Sequence, residues 1–308
     1  MSSSLTDAIN GVVNRLGGRA FQISPQIRHR KVHRLYENAK RDQWNASERV
    51  PRGDRLPSEG LSDLEREAIC RVFSQLYYGE RGAQIISGQL STMVADNEAS
   101  KFLATQCVDE ARHVEVFESL LLRIDQVYPM NPFLNALLTD MMRTDRLEEK
   151  LVGMNLLVEG LALTVFKFTV KLFESDDRYQ NEVGKHVYEA IKLILRDESR
   201  HVGFGVLYLP ELLRALPRRR LAELHARQLA WMGLLFGSVR YHKRDSAIVG
   251  IPYVDLLADI LEEHQARVNE MGVEGVVAGE QLARLIPTMD RVLDRVTGYE
   301  APSVPAAA

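Results

Sequence analysis

Apolar residues return with a helical period along nearly the whole chain, and alternating strands flanked by Asn-Gly turns are missing. The pattern predicts a first helix over 25–42 and then a polar, irregular connector over 45–60, NASERVPRGDRLPSEG. A long helix starts after Ser62, because Ser62-Asp-Leu-Glu65 has the form of a capping box, in which each side chain satisfies a free amide of the first turn. Its apolar stripe runs through Ile69, Phe73, Leu76, Tyr77, Ala83, Ile86 and Leu90, and Glu80 sits on that stripe. A second helix covers 99–127, and Pro129 and Pro132 close it and open the next. A third covers 145–175 as one continuous element, with Glu159 among Leu156, Val158, Leu161 and Phe166. The fourth covers 181–208 and is expected to stop before Pro210. Helices over 217–242, 253–271 and 279–297 follow. The expected organisation is an arm over 1–24, one all-α bundle domain over 25–298 with core helices at about 62–208, and a low-complexity, flexible tail over 299–308.

Two of the predicted helices carry nearly the same hexapeptide, DEARHV from Asp109 and DESRHV from Asp197. Each copy holds a Glu-x-x-His pair, Glu110/His113 and Glu198/His201, and these are the only two such pairs in the chain. Three helical residues turn through about 300° and rise about 4.5 Å, so both side chains of a pair lie on one face within reach of one metal ion. A single pair of this kind is usually an exposed surface pair. Two copies sharing the Asp before Glu and the Arg before His point instead to ligation.

The chain then reads as a repeat: a helix with Glu80, a helix with Glu110 and His113, a helix with Glu159, and a helix with Glu198 and His201. The Glu-to-Glu separations of 30 and 39 residues let each helix run out, turn and return beside itself. Two such halves make a four-helix bundle with one long crossover and a site for two metals. Four carboxylates nearly neutralise two divalent cations, and neutral imidazoles suit iron and manganese. Without cations the same residues form a buried like-charge cluster costing several kcal/mol. Asp109 and Asp197 point about 100° from their Glu, so each is expected to reach the His of the opposite half, Asp109 to His201 and Asp197 to His113. Arg112 and Arg200 are expected to pair with these carboxylates. The other six histidines (29, 33, 186, 225, 242 and 264) read as uninvolved, with His225, His242 and His264 on polar faces.

Composition narrows the function classes. Hydrophobic residues make up 45% of the 308, ample for a core, and the net charge of −3 calls for no polyanion, so no nucleic-acid partner is expected. The basic run RHRKVHR at 28–34 reads as a solvated helix face. Cys70 and Cys107 fall in apolar helical stretches without metal or redox spacing and read as buried free thiols in a reducing compartment. The start has no signal-peptide pattern, and no apolar run is long enough to cross a membrane. A cytoplasmic protein without membrane contact is the expectation.

The order Glu, Glu-x-x-His, Glu, Glu-x-x-His resembles the ferritin-like di-iron carboxylate superfamily. The Asp-Glu-x-Arg-His form looks most like the ribonucleotide reductase small-subunit group, with its ligand-binding oxidases, and the hydroxylase subunits of bacterial di-iron monooxygenases. KRDQWNASERV around Trp44 and LSDLEREAI before Glu80 are similar to the entry segment of the small-subunit group, and the resemblance spans about residues 30–210. It implies a ferritin-like bundle with added terminal helices, a homodimer, two iron ions or a manganese–iron pair, and O₂ as co-substrate. It also places Trp44 near Asp197.

Departures from the family patterns set the activity apart. Phe117 stands where radical-forming subunits carry a Tyr. Ala83 and Met154 occupy the positions that the ligand-binding oxidases cross-link. Ile194 replaces the extra His of the aminobenzoate N-oxygenases, and Leu163, beside Thr164, replaces the monooxygenase Thr. The resemblance therefore implies an oxidase or oxygenase that hydroxylates or N-oxygenates a small organic substrate. A radical-generating reductase subunit and a ferroxidase are the alternatives. Tyr77, Ala83, Gln84, Phe117, Leu163 and Phe166 are expected to line the space beside the metals. No nucleotide-binding glycine motif or iron–sulfur cysteine set is present, so electrons are expected from a separate reductase.

Overall fold

The computed structural model describes Asp7, Gly11, residues 29–57 and residues 60–297. The expected N-terminal arm, the start of the first helix and the tail lie outside the described residues apart from those two positions and residue 29. Among the described residues the chain is helical without a strand.

The first helix, α1, spans Arg30–Arg41, and the connector is not wholly irregular: Asn45 caps a short α2, Ala46–Arg49, by accepting from Ser47 N at 3.0 Å. The four long bundle helices are α3 (Asp63–Met93), α4 (Asn97–Ile124), α7 (Glu159–Ser175) and α8 (Glu182–Arg214). Between α4 and α7 run α5 (Pro132–Arg143), α6 (Leu147–Leu151) and a π-helix, Val152–Val158. After the bundle come α9 (Arg218–Tyr241), α10 (Lys243–Val249), α11 (Tyr253–Met271) and α12 (Gly279–Thr297).

Local chemistry sets these starts. The α3 capping box is complete, with Glu65 N donating to Ser62 Oγ at 3.3 Å and Ser62 N to the Glu65 carboxylate at 2.9 Å. Asp96 and Asn131 cap α4 and α5, and Pro132 takes the first position of α5, where its missing N–H costs nothing. Asn181 caps α8, and Gly184 there is obligatory, since a Cβ would fall 1.9 Å from the Tyr179 carbonyl oxygen.

Two expectations about helix limits are corrected. The third bundle element is not one α-helix, because the fully buried Val152–Val158 segment winds as π-helix. Helix α8 does not stop before Pro210 but continues to Arg214. The proline removes one backbone bond, while Leu209 and Leu213, buried on either side of it, continue the apolar stripe into the core.

The core falls into two apolar clusters with a polar layer between them. One holds Ile86, Leu90, Phe102, Leu103, Val158 and Phe204. The other holds Phe73, Val116, Phe117, Val165, Phe166 and Ile194. Each bundle helix passes from one cluster to the other, and Glu80, Gln106–His113, Glu159 and Asp197–His201 lie at the crossings. Helices α3 and α8 cross in one sense and α4 and α7 in the other. The carboxylates of all four are therefore brought to the same level.

Candidate metal centre

Glu80, Glu110, His113, Glu159, Glu198 and His201 are all buried, none more than 5% exposed. They form two overlapping groups whose ligand-type atoms lie within 4.8 Å of one another: Glu80, Glu110, His113 and Glu198, and Glu110, Glu159, Glu198 and His201. Glu110 and Glu198, the acidic members of the two repeats, belong to both. His113 Nδ1 lies 3.0 Å from Glu80, 3.3 Å from Glu110 and 3.0 Å from Glu198. His201 Nδ1 lies 3.0 Å from Glu110 and 3.3 Å from both Glu159 and Glu198.

The opposite face of each imidazole meets an aspartate of the other half. His113 Nε2 is 3.4 Å from Asp197 Oδ2, and His201 Nε2 is 3.3 Å from Asp109 Oδ2. Arg200 Nη2 donates to Asp197 at 2.7 Å and to Asp109 at 3.2 Å. Arg112 Nη2 donates to Asp109 and, at 3.3 Å, to Asp197. Trp44 Nε1 donates to Asp197 at 2.7 Å, and its ring stacks on that of His113. Two guanidinium groups thus balance two buried aspartates. Burial alone would raise the Asp197 carboxyl, but the bond from His113, the Arg200 charge and the Trp44 N–H hold it far below its ordinary value.

Two further polar residues at the centre are absent from the sequence expectations. Gln106 Nε2 donates to Glu159 at 2.8 Å and to Glu110 at 3.3 Å. Asn155, on the π-helix, donates to Gln106 Oε1 at 3.0 Å and to the His201 carbonyl at 3.3 Å. Gln106 stands one turn before Glu110, a signal that helical spacing carries. Asn155 likewise stands four residues before Glu159, a spacing that places both on one helix face.

The charge balance of the cluster tests whether cations fit it. Each imidazole with its Nε2–H on an aspartate presents an Nδ1 lone pair to the carboxylates, so the centre consists of acceptors facing acceptors. Glu110 Oε2, Glu159 Oε2 and Glu198 Oε1 are buried without a hydrogen-bond partner. In the ion-free state protons must stand in. Burial and then neighbouring carboxylates push Glu80 and Glu159 well above the carboxylate range. Burial opposes charge on His113 and His201, yet the surrounding carboxylates raise both well above the usual histidine value. Burial would also raise Glu110 and Glu198, but the imidazoles hold them low. Two divalent cations would replace those protons with the same net charge, so the donor set fits a metal pair.

A chamber of about 570 Å³, open mouth included, borders Glu80 and Glu159 and is otherwise lined mainly by Leu76, Gly79, Ala83, Leu134, Leu161 and Val239. Of the six residues expected beside the centre, this chamber takes Ala83. Phe117 stacks on Phe166 within the apolar core, Leu163 lies in the other core cluster, and Tyr77 packs edge-on against Tyr78. The Gln84 side chain is paired with Arg81. The chamber follows positions 75, 76, 79, 80 and 83 of α3, one face of that helix. His264, expected on a polar face, is buried, with Nε2 at 2.8 Å from the Val277 carbonyl oxygen. Cys70 is a buried free thiol, and Cys107 is free but half-buried.

No protein-family model matches the chain, and no curated protein matches it. Solved structures do. An R2-like ligand-binding oxidase reconstituted with an Fe/Fe cofactor superposes with a TM-score of 0.65 at 18% identity, over 85% of this chain and 98% of that one. The dimanganese(II) NrdF of Streptococcus sanguinis gives 0.65 at 16%, over 83% and 94%. A protein with aldehyde deformylating oxidase activity from Synechococcus gives 0.59 at 19%, over 72% and 98%. The chain has the all-α, ferritin-like fold of these structures. Among the described residues no helix is long and apolar enough to cross a membrane.

Proposed function

We propose that this chain is an O₂-dependent di-metal oxidase or oxygenase that hydroxylates or N-oxygenates a small organic substrate. The observation that carries the reading is the buried set of four glutamates and two histidines, its acceptor atoms turned toward one another. Glu80 and His113 would hold one ion, Glu159 and His201 the other, with Glu110 and Glu198 between both. When bound, two iron ions, or manganese with iron, would supply the activation of O₂. Asp109 and Asp197 fix the histidine tautomers and keep each Nδ1 lone pair directed at the centre. Arg200 and Trp44 hold Asp197 ionised, and Arg112 and Arg200 also bind Asp109. The apolar chamber beside Glu80 and Glu159 excludes water and admits substrate from that side. Electrons come from a separate donor protein, and a homodimer in the cytoplasm is the assembly this reading carries. Phe117 disfavours the radical-subunit alternative, since a phenyl ring offers no O–H to oxidise.

Anaerobic loading with ferrous iron, followed by O₂ and candidate substrates, tests the reading with products identified by mass spectrometry. Uptake of two ions per chain and O₂-dependent oxygenated products are expected, and absence of both overturns it. Gln106→Leu removes the donor shared by Glu110 and Glu159 and is expected to weaken iron binding by about 10–100-fold. An unchanged metal titration would reduce Gln106 to a packing residue.

A further inference from the structure

One buried cation takes no part in the centre described above. Arg267 on α11 is 9% exposed. Its Nη2 donates to Glu263 Oε2 at 2.6 Å, but Glu263 is already engaged by Lys167 Nζ at 2.7 Å and Thr164 Oγ1 at 3.1 Å. Two cations share one carboxylate, which leaves one positive charge in surplus. Lys167 is half-exposed and water can screen it, whereas the Arg267 side chain is only 10% exposed. Among the described residues its Nε and Nη1 meet no acceptor. Nη1 lies over Gly160, 2.7 Å from where a Cβ would stand, so a larger residue there would push the guanidinium aside. Gly160 directly follows Glu159 of the proposed metal centre.

Arg267 lines a second cavity of about 610 Å³, open mouth included, enclosed by α9, α11, α12 and the π-helix. Its other lining residues are apolar except His264. Burial keeps that imidazole neutral, and its Nε2–H is spent on the Val277 carbonyl. The cavity shares Leu161, Leu235 and Val239 with the chamber that borders Glu80 and Glu159. An apolar cavity with one unmatched, forked cation at its wall selects an apolar body with a single planar anion, and guanidinium matches carboxylate in two parallel hydrogen bonds.

We infer that this cavity binds an apolar monocarboxylate, its carboxylate on Arg267 and its body lying along Leu161, Leu235 and Val239 toward the chamber at Glu80 and Glu159. The inference rests on the di-metal oxygenase reading and names the substrate class for it.

The test is calorimetric titration of the full chain, after chelation of metal, with octanoate and with 1-octanol. Octanoate is expected to bind at one site per chain about tenfold or more tighter than the alcohol, the scale of a buried charge-assisted bond. Arg267→Gln is expected to bring octanoate to the level of octanol while leaving octanol binding unchanged. Equal affinities in the parent chain, or a preference that survives Arg267→Gln, overturn the proposal. Should Arg267→Gln lose octanol binding as well, Arg267→Lys decides: a retained acid preference supports the site, and its loss refutes it. Glu110→Ala should keep the preference. A chain that takes up no metal yet prefers octanoate through Arg267 keeps this site and discards the oxygenase reading.

Discussion

Glu110→Ala is expected to bind fewer than two metal ions per chain and to lose all O₂ reactivity. Glu110 contributes to both four-residue groups of the centre, so its removal weakens both ion positions together, whereas Glu80→Ala or Glu159→Ala strips one end. Loss of a group that merely orients a ligand costs about 10–100-fold in affinity, and loss of a shared ligand should exceed that. His201→Ala is expected to lose at least the ion held with Glu159. His113→Gln should weaken iron binding where His225→Gln, outside the centre, leaves it intact. Metal analysis separates these outcomes, with circular dichroism to show that the helices persist. Two ions per chain retained after Glu110→Ala or His201→Ala would refute the assignment.

The second large effect is an opposition between stability and metal affinity as pH rises. In the ion-free chain the raised groups are Glu80, Glu159, His113 and His201. A carboxyl raised above its ordinary 4.5 binds more protons folded than unfolded once pH passes 4.5. An imidazole raised above 6.5 does the same once pH passes 6.5. The stability these groups contribute is complete below those values and is lost as pH climbs through the folded-state values. Each proton of difference is worth about 1.4 kcal/mol per pH unit. Glu110, Glu198 and Asp197 run the other way, but their contribution is already complete above the ordinary carboxylate values and is lost only in acid. The ion-free chain should therefore become less stable as pH rises above about 6.5, where the raised carboxyls and imidazoles keep protons that the unfolded chain has lost. Metal affinity should increase over the same interval, because binding displaces two carboxyl and two imidazole protons. Denaturant titrations of chelated protein across that interval check the first trend, and proton release on metal addition checks the second. An ion-free chain that gains stability with rising pH would contradict the protonation pattern of the cluster.

The cluster of four glutamates and two histidines was legible because it is written in local geometry. A Glu-x-x-His spacing means the same thing on any straight helix, and its repetition at Glu110 and Glu198 identified two halves of one centre. The crossed aspartates, Asp109 to His201 and Asp197 to His113, followed from the same helical phase once the halves were taken as facing each other. The α3 start was equally local, since Ser62 and Glu65 meet within one turn. The site's surroundings were not. Gln106 meets Glu159 across 53 residues, and Asn155 meets Gln106 across 49.

The sequence by itself determined the helical class, the four helices that carry the clustered glutamates and histidines, and the polar character of the layer where they cross, since each depends on side-chain type and a period of a few residues. Only the tertiary structure decided which apolar side chains border Glu80 and Glu159, that α8 runs on through Pro210, and that His264 and Arg267 are buried at a cavity. These depend on the summed packing of side chains remote in sequence, which no local period records.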